Sequence, residues 1–129
     1  MSDLVPGTAS SLLVQGRIFS HTNLSGAGEP NLHPAVREFL EALPVEFQDS
    51  FTGYCAESAL ISDQMWGIDA ERPGRAPISL DEALPHFAGA AMVSKMIREE
   101  GDPDHGQPTA PCAACRALID RLGIDFVGA

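Results

Sequence analysis

Apolar positions along the chain fall into short runs of two periods, and each run predicts an element. Ser11 to Ser20 reads SLLVQGRIFS, two apolar stretches broken by Gln15-Gly16, which predicts a β-hairpin or a bulged strand. Residues 1–10 are small and polar, with Pro6 and Gly7, and read as a flexible lead-in. His21 to Gly28 carries turn chemistry and reads as a loop. The period then lengthens. Val36, Phe39, Leu40 and Leu43 mark one face of a helix that Pro34 opens and Pro44 stops. A second helix starts at Cys55; Ala56, Ala59, Leu60, Met65 and Trp66 give it little polar surface, so it is expected to be largely buried, with Met65 and Trp66 in the core.

Residues 67–78, rich in Pro and Gly, read as a loop, and Ser79-Leu80-Asp81-Glu82 as a capped short helix ending near Pro85-His86. Ala90 to Ile97 suits a strand or a helix tail by periodicity alone. The strand is the reading adopted, because the helix after it must return beside the Cys55 helix. Gly101 to Ala110 is a long polar turn. Cys112 to Leu122 is a helix with Arg121 in its last turn and Gly123 as its cap, and residues 124–127 end the chain as a strand. Leaving out the short Ser79 helix, the order β-β-α-α-β-α-β predicts an α/β sandwich around a central mixed sheet.

The 129 residues are read as one domain, long enough to bury a core. No run of about 18 apolar residues is present, so no membrane-spanning helix is expected. The N-terminal stretch lacks the basic and apolar regions of a signal peptide, and cysteines kept as thiols suit a reducing compartment such as the cytoplasm. Eighteen acidic residues against eight basic give a net charge of −10. That weighs against a protein whose affinity comes mainly from neutralising phosphates, without excluding a local basic groove.

All three cysteines fall into one pattern: Cys55-Ala56-Glu57, then Pro111-Cys112-Ala113-Ala114-Cys115-Arg116. A catalytic zinc takes three protein ligands and keeps a fourth position for water. Cys112 and Cys115, three apart, can face one ion from the first turn of a helix, and Cys55 supplies a third thiolate from the start of another. Glu57 sits within reach of the water without being a ligand, which suits a proton shuttle. Helix N-termini favour thiolates, and Arg116 is the nearest cation in sequence to offset the remaining charge.

Plainer readings exist: buried apolar cysteines, a redox pair, or a closed structural site completed by His21, His33, His86 or His105. Asn23 offers a donor and an acceptor for a sugar or base edge, or simply makes a turn. Arg72 and Arg75 suit a phosphate contact or a solvated loop.

The Cys-first C-A-E, the P-C-x-x-C-R and the segment Gly16 to Asn23 resemble the cytidine deaminase superfamily. Free cytidine deaminases differ in three respects: their Asn lies close before C-A-E, a Glu stands where Ser25 is, and an Arg often stands where Ser58 is. The wider pattern is more similar to the YwqJ-like toxin-type deaminases. His33-Pro34, Gly53-Tyr54-Cys55-Ala56-Glu57 with Leu60-Ile61-Ser62, and the run from Pro111 to Ile124 carry it.

The resemblance implies a three-layer cytidine deaminase-like α/β sandwich and a Zn²⁺ on Cys55, Cys112 and Cys115. It also implies hydrolytic conversion of cytosine to uracil with Glu57 as proton shuttle. Asn23, Ala56 (through its backbone N–H) and Arg116 are the implied substrate contacts. The implied substrate is cytosine in nucleic acid, single-stranded rather than duplex because a paired base must first be flipped out. Deamination of a free nucleoside and a catalytically silent zinc-fold binding module are the alternatives. Partners left open are an immunity protein, with delivery into a target-cell cytoplasm, and a second copy of the chain.

Overall fold

The computed structural model describes residues 7–22, 31–48, 55–97 and 100–127. Strands β1 (Gly7–Val14) and β2 (Arg17–Thr22) form an antiparallel hairpin. Both turn residues, Gln15 and Gly16, have positive φ, at 53° and 74°. This two-residue geometry matches the right-handed twist of the strands it joins. Helix α1 (Pro34–Glu41) and a single 3₁₀ turn (Val45–Phe47) precede helix α2 (Ala56–Ala70). Helix α3 (Leu80–Ala83), strand β3 (Ala91–Ile97), helix α4 (Ala113–Leu122) and strand β4 (Asp125–Phe126) complete the order.

The sheet runs β2-β1-β3-β4, antiparallel except for the parallel β3–β4 pair. A parallel pair needs a crossover, and α4 provides it. The expected α/β sandwich with a mixed sheet is therefore the observed fold. One face of the sheet carries Leu12, Val14 and Met92, all buried with Leu60, Ile61, Met65, Phe87, Leu118 and Ile119 in the core. Helix α2 packs on β1 and β2 and touches α1 and α4, which explains why Ala56, Leu60, Ile61 and Met65 are all buried. On the opposite face, Leu13, Ile18 and Ile97 are exposed.

Four sequence boundaries need correction. The lead-in read over residues 1–10 is shorter, because β1 starts at Gly7, where its register with Ile97 of β3 begins. Strand β2 takes in His21 and Thr22, read as loop, since they pair with Ser10 and Ala9. Helix α2 continues through Gly67 to Ala70, where a loop was expected. Its last turn is held from outside the helix: Asp69 accepts from the Ile78 N–H at 2.9 Å and is bonded to His33 at 2.5 Å. Such tertiary contacts outweigh the weak helix propensity of one glycine. Strand β4 is two residues, not four, although the Val127 N–H still donates to Met92 O at 2.8 Å.

The polar turn before α4 folds back on β3. Gly106 and Thr109 donate to Met96 O and Ser94 O at 2.8 and 3.0 Å. This return delivers Pro111 and Cys112 next to the middle of the sheet.

A candidate metal centre at two helix N-termini

Cys55 is the N-cap of α2 and Cys112 the N-cap of α4, both in extended backbone conformation. Their sulfurs are 3.3 Å apart, and with the Cys115 sulfur the three lie within 4.8 Å of one another. Two helix starts 57 positions apart in the sequence thus aim their unpaired N–H groups and positive dipole ends at one cluster. Cys112 Sγ itself accepts the Cys115 N–H at 3.5 Å. Cys115 is buried, whereas Cys55 and Cys112 are partly exposed, so the cluster opens towards solvent on one side.

The three thiols shift one another in opposite directions. The Cys112 thiol is held well below the ordinary range by hydrogen bonds from the Cys115 and Cys55 side chains, then by the Cys115 and Ala114 N–H groups. Cys55 is pushed up, chiefly by its hydrogen bond with the Cys112 sulfur and further by burial. Cys115 is pushed up by the same sulfur partners and by burial. A bound divalent cation would displace the thiol protons.

The donor set fits zinc. Tetrahedral ligation at about 2.3 Å per Zn–S bond puts sulfurs about 3.8 Å apart, a value bracketed by the cluster's own spacings. Among the described residues no histidine joins the group. His33 is bonded to Asp69, and His86 to the Gln64 side chain at 2.9 Å. A closed Cys₃His site is thus not what the chain builds there, and three thiols with no fourth protein ligand are what an open site needs.

Glu57 lies in the first turn of α2, 3 % exposed, and its carboxylate is not part of the sulfur group. Its Oε2 accepts from Ser94 Oγ at 2.6 Å, and Ser94 Oγ lies 2.6 Å from Ser10 Oγ. The sequence reading missed both serines. The available signal was a small polar residue on the buried phase of each strand, Ser10 beside Leu12 and Ser94 beside Met92.

Ala56 is fully buried as the first residue of α2, so its N–H has no partner within the helix. Arg116 is turned along its own helix: its Nε is 3.5 Å from Asp120, and its guanidinium lies 5.9 Å from the centre of the Phe126 ring. Arg72 pairs with Glu82 at 3.7 Å. Asn23, Gly53 and Tyr54 lie outside the described residues.

An α/β sheet with a metal-ready Cys₃ cluster at two helix N-termini, and a buried Glu beside it, has the architecture of the cytidine deaminase-like folds. The chain belongs to the YwqJ-like deaminases, whose family model matches residues 1–124. Neither the curated proteins nor the solved structures gave a match.

Proposed function

We propose that the protein is a zinc-dependent deaminase that converts cytosine to uracil in single-stranded nucleic acid. The observation that carries the deaminase reading is the separation of roles at the cluster. Three thiols gather without a fourth protein ligand among the described residues, and a buried carboxylate stands beside them, outside the group. A structural zinc or a silent binding module has no use for that carboxylate.

Cys55, Cys112 and Cys115 would hold a Zn²⁺, which when bound would supply Lewis-acid activation of water at neutral pH. Glu57 would take one proton from the attacking water and give it to the pyrimidine ring nitrogen, where it stays, and would then carry the water's second proton to the departing amine. The C4–O bond forms, the C4–N bond breaks, and cytosine plus water becomes uracil plus ammonia. The Ala56 N–H donates to the pyrimidine carbonyl, and Asn23 is assigned to the sugar. The resemblance to toxin-type deaminases supports a polymer substrate, and an immunity protein is the partner such a role would call for. The net charge of −10 favours the second reading, a free nucleoside.

Ammonia release by the zinc-loaded protein, with cytidine, single-stranded DNA and RNA offered in parallel, tests this. Release from a polymer alone supports the proposal and names the nucleic acid; release from cytidine alone replaces it with the nucleoside reading. Glu57→Gln should keep zinc and fold while turnover falls by at least about 10²-fold. Undiminished turnover in that variant would remove Glu57 from the mechanism.

A further inference from the structure

Ser10 and Ser94 face each other across the β1–β3 ladder, one register pair in the middle of the sheet. Both are essentially inaccessible to solvent, at 1 % and 0 % exposure. Their neighbours on the same face, Leu12 and Met92, are ordinary core residues. Alanine would fill either serine's volume without bringing a hydroxyl into the core, where an unpaired one is costly. These hydroxyls are paired in a direction that chemistry fixes. An ionised carboxylate can only accept, so Ser94 donates to Glu57 Oε2 at 2.6 Å. With its own proton committed, Ser94 must accept from Ser10, at 2.6 Å. The sequence of donation is Ser10 to Ser94 to Glu57, from the central strand to the first turn of α2.

We propose that Ser94, backed by Ser10, is the positioning residue for Glu57: it pins one carboxylate oxygen to the sheet and leaves Oε1 as the oxygen that moves the proton. The inference rests on the deaminase reading above. A glutamate has three rotatable side-chain bonds, and a proton shuttle works only within hydrogen-bond reach of the atoms it serves. Helix α2 sets where the Glu57 backbone stands, but not which way its carboxylate turns. The strand supplies that second constraint. Ser94 is held in turn by the turn that leads to Cys112, since Thr109 N–H donates to Ser94 O at 3.0 Å. The same β3 residue thus ties the carboxylate to the segment that delivers the second ligand.

The test compares zinc-loaded wild-type protein with Ser94→Ala, Ser94→Thr and Ser10→Ala. It reads kcat, KM, zinc content and thermal midpoint, together with crystal structures of the wild-type and Ser94→Ala proteins. Ser94→Ala should lower kcat by about 10²-fold with KM and zinc stoichiometry unchanged, and its Glu57 carboxylate should leave the wild-type position. Ser94→Thr, which keeps the hydroxyl, should recover most of kcat. Ser10→Ala should lower kcat in the same direction by less, about tenfold.

An unmoved carboxylate in Ser94→Ala overturns the inference. So does a rise in KM at constant kcat, which would make Ser94 a substrate contact, and so does a loss of kcat matched by loss of zinc. If the wild-type protein holds zinc and turns over nothing, the deaminase reading fails. The position of Glu57 in the two crystal structures then still decides whether Ser94 places it.

Discussion

Cys112 does two things that different residue types usually divide. As N-cap of α4 it accepts the Cys115 N–H, a task most often given to Ser, Thr, Asp or Asn, and its sulfur sits 3.3 Å from that of Cys55. Substitution separates the two tasks. Cys112→Ser keeps an acceptor at the helix start and loses the thiolate, whereas Cys112→Ala loses both. Both variants should fail to retain zinc through gel filtration. In chelator, urea unfolding should find Cys112→Ala less stable than Cys112→Ser by about 1 kcal/mol, the usual value of a helix cap. Full zinc retention by Cys112→Ser would show that this sulfur is not a ligand. The gathering of the three cysteines, with Glu57 two residues after the first, was legible in the sequence because a metal site demands residue types at fixed local spacings. Ser10 and Ser94 were not, because their meaning lies in a register between strands more than eighty positions apart.

Among the elements, α1 is fastened by a device that no local pattern announces. His33 Nδ1 accepts the Ala35 N–H at 3.1 Å, so the ring proton sits on Nε2 and donates to Asp69 Oδ2 at 2.5 Å. The other Asp69 oxygen takes the Ile78 N–H, and Trp66 packs edge-on against the buried His33 ring at 4.9 Å. One carboxylate therefore joins the start of α1, the last turn of α2 and the approach to α3. His33-Pro34 could be read as a helix opening, but the residue that receives the histidine lies 36 positions on, past a glycine that suggested the helix had already ended.

His33→Ala should cost about 1–3 kcal/mol in urea unfolding by removing the cap and leaving Asp69 short of a partner. Zinc stoichiometry should not change, since Cys55 lies at the far end of α2 from Asp69 and Cys112 and Cys115 sit on α4. Burial pushes the Asp69 carboxyl up, but the bonds from His33 and Ile78 outweigh it and hold it below its ordinary 3.8. A carboxylate depressed by folding adds stability that is complete above its unfolded value and lost as pH falls through the lower folded one. Asp69→Asn should therefore lower stability at pH 7 and flatten the loss of stability below about pH 4 seen in the wild-type protein. An acid limb as steep as wild type in that variant would place the titrating group elsewhere.

For the whole molecule, an ion bound by the three sulfurs would act as a cross-link between segments 57 positions apart. In between lie the long α2 helix, α3, β3 and the turn that folds back on β3. Closing so long a loop in the native state only, by an ion that the unfolded chain holds weakly, stabilises the fold by mass action. Free zinc at a thousand times its dissociation constant is worth about 4 kcal/mol, reduced by whatever the unfolded Cys112–Cys115 pair retains. Chelation should accordingly lower the thermal midpoint by several degrees, and zinc, but not magnesium, should restore it.

The loss should not be uniform. The β1–β2 hairpin and the His33–Asp69 tether are held by hydrogen bonds that need no ion, whereas the first turns of α2 and α4 bring together three sulfurs that an ion would join. Amide exchange in chelator should therefore accelerate most at the starts of α2 and α4 and little in β1 and β2. An equal acceleration everywhere would mean that the ion holds the whole fold, and no acceleration at either helix start would mean that the thiols do not bind it.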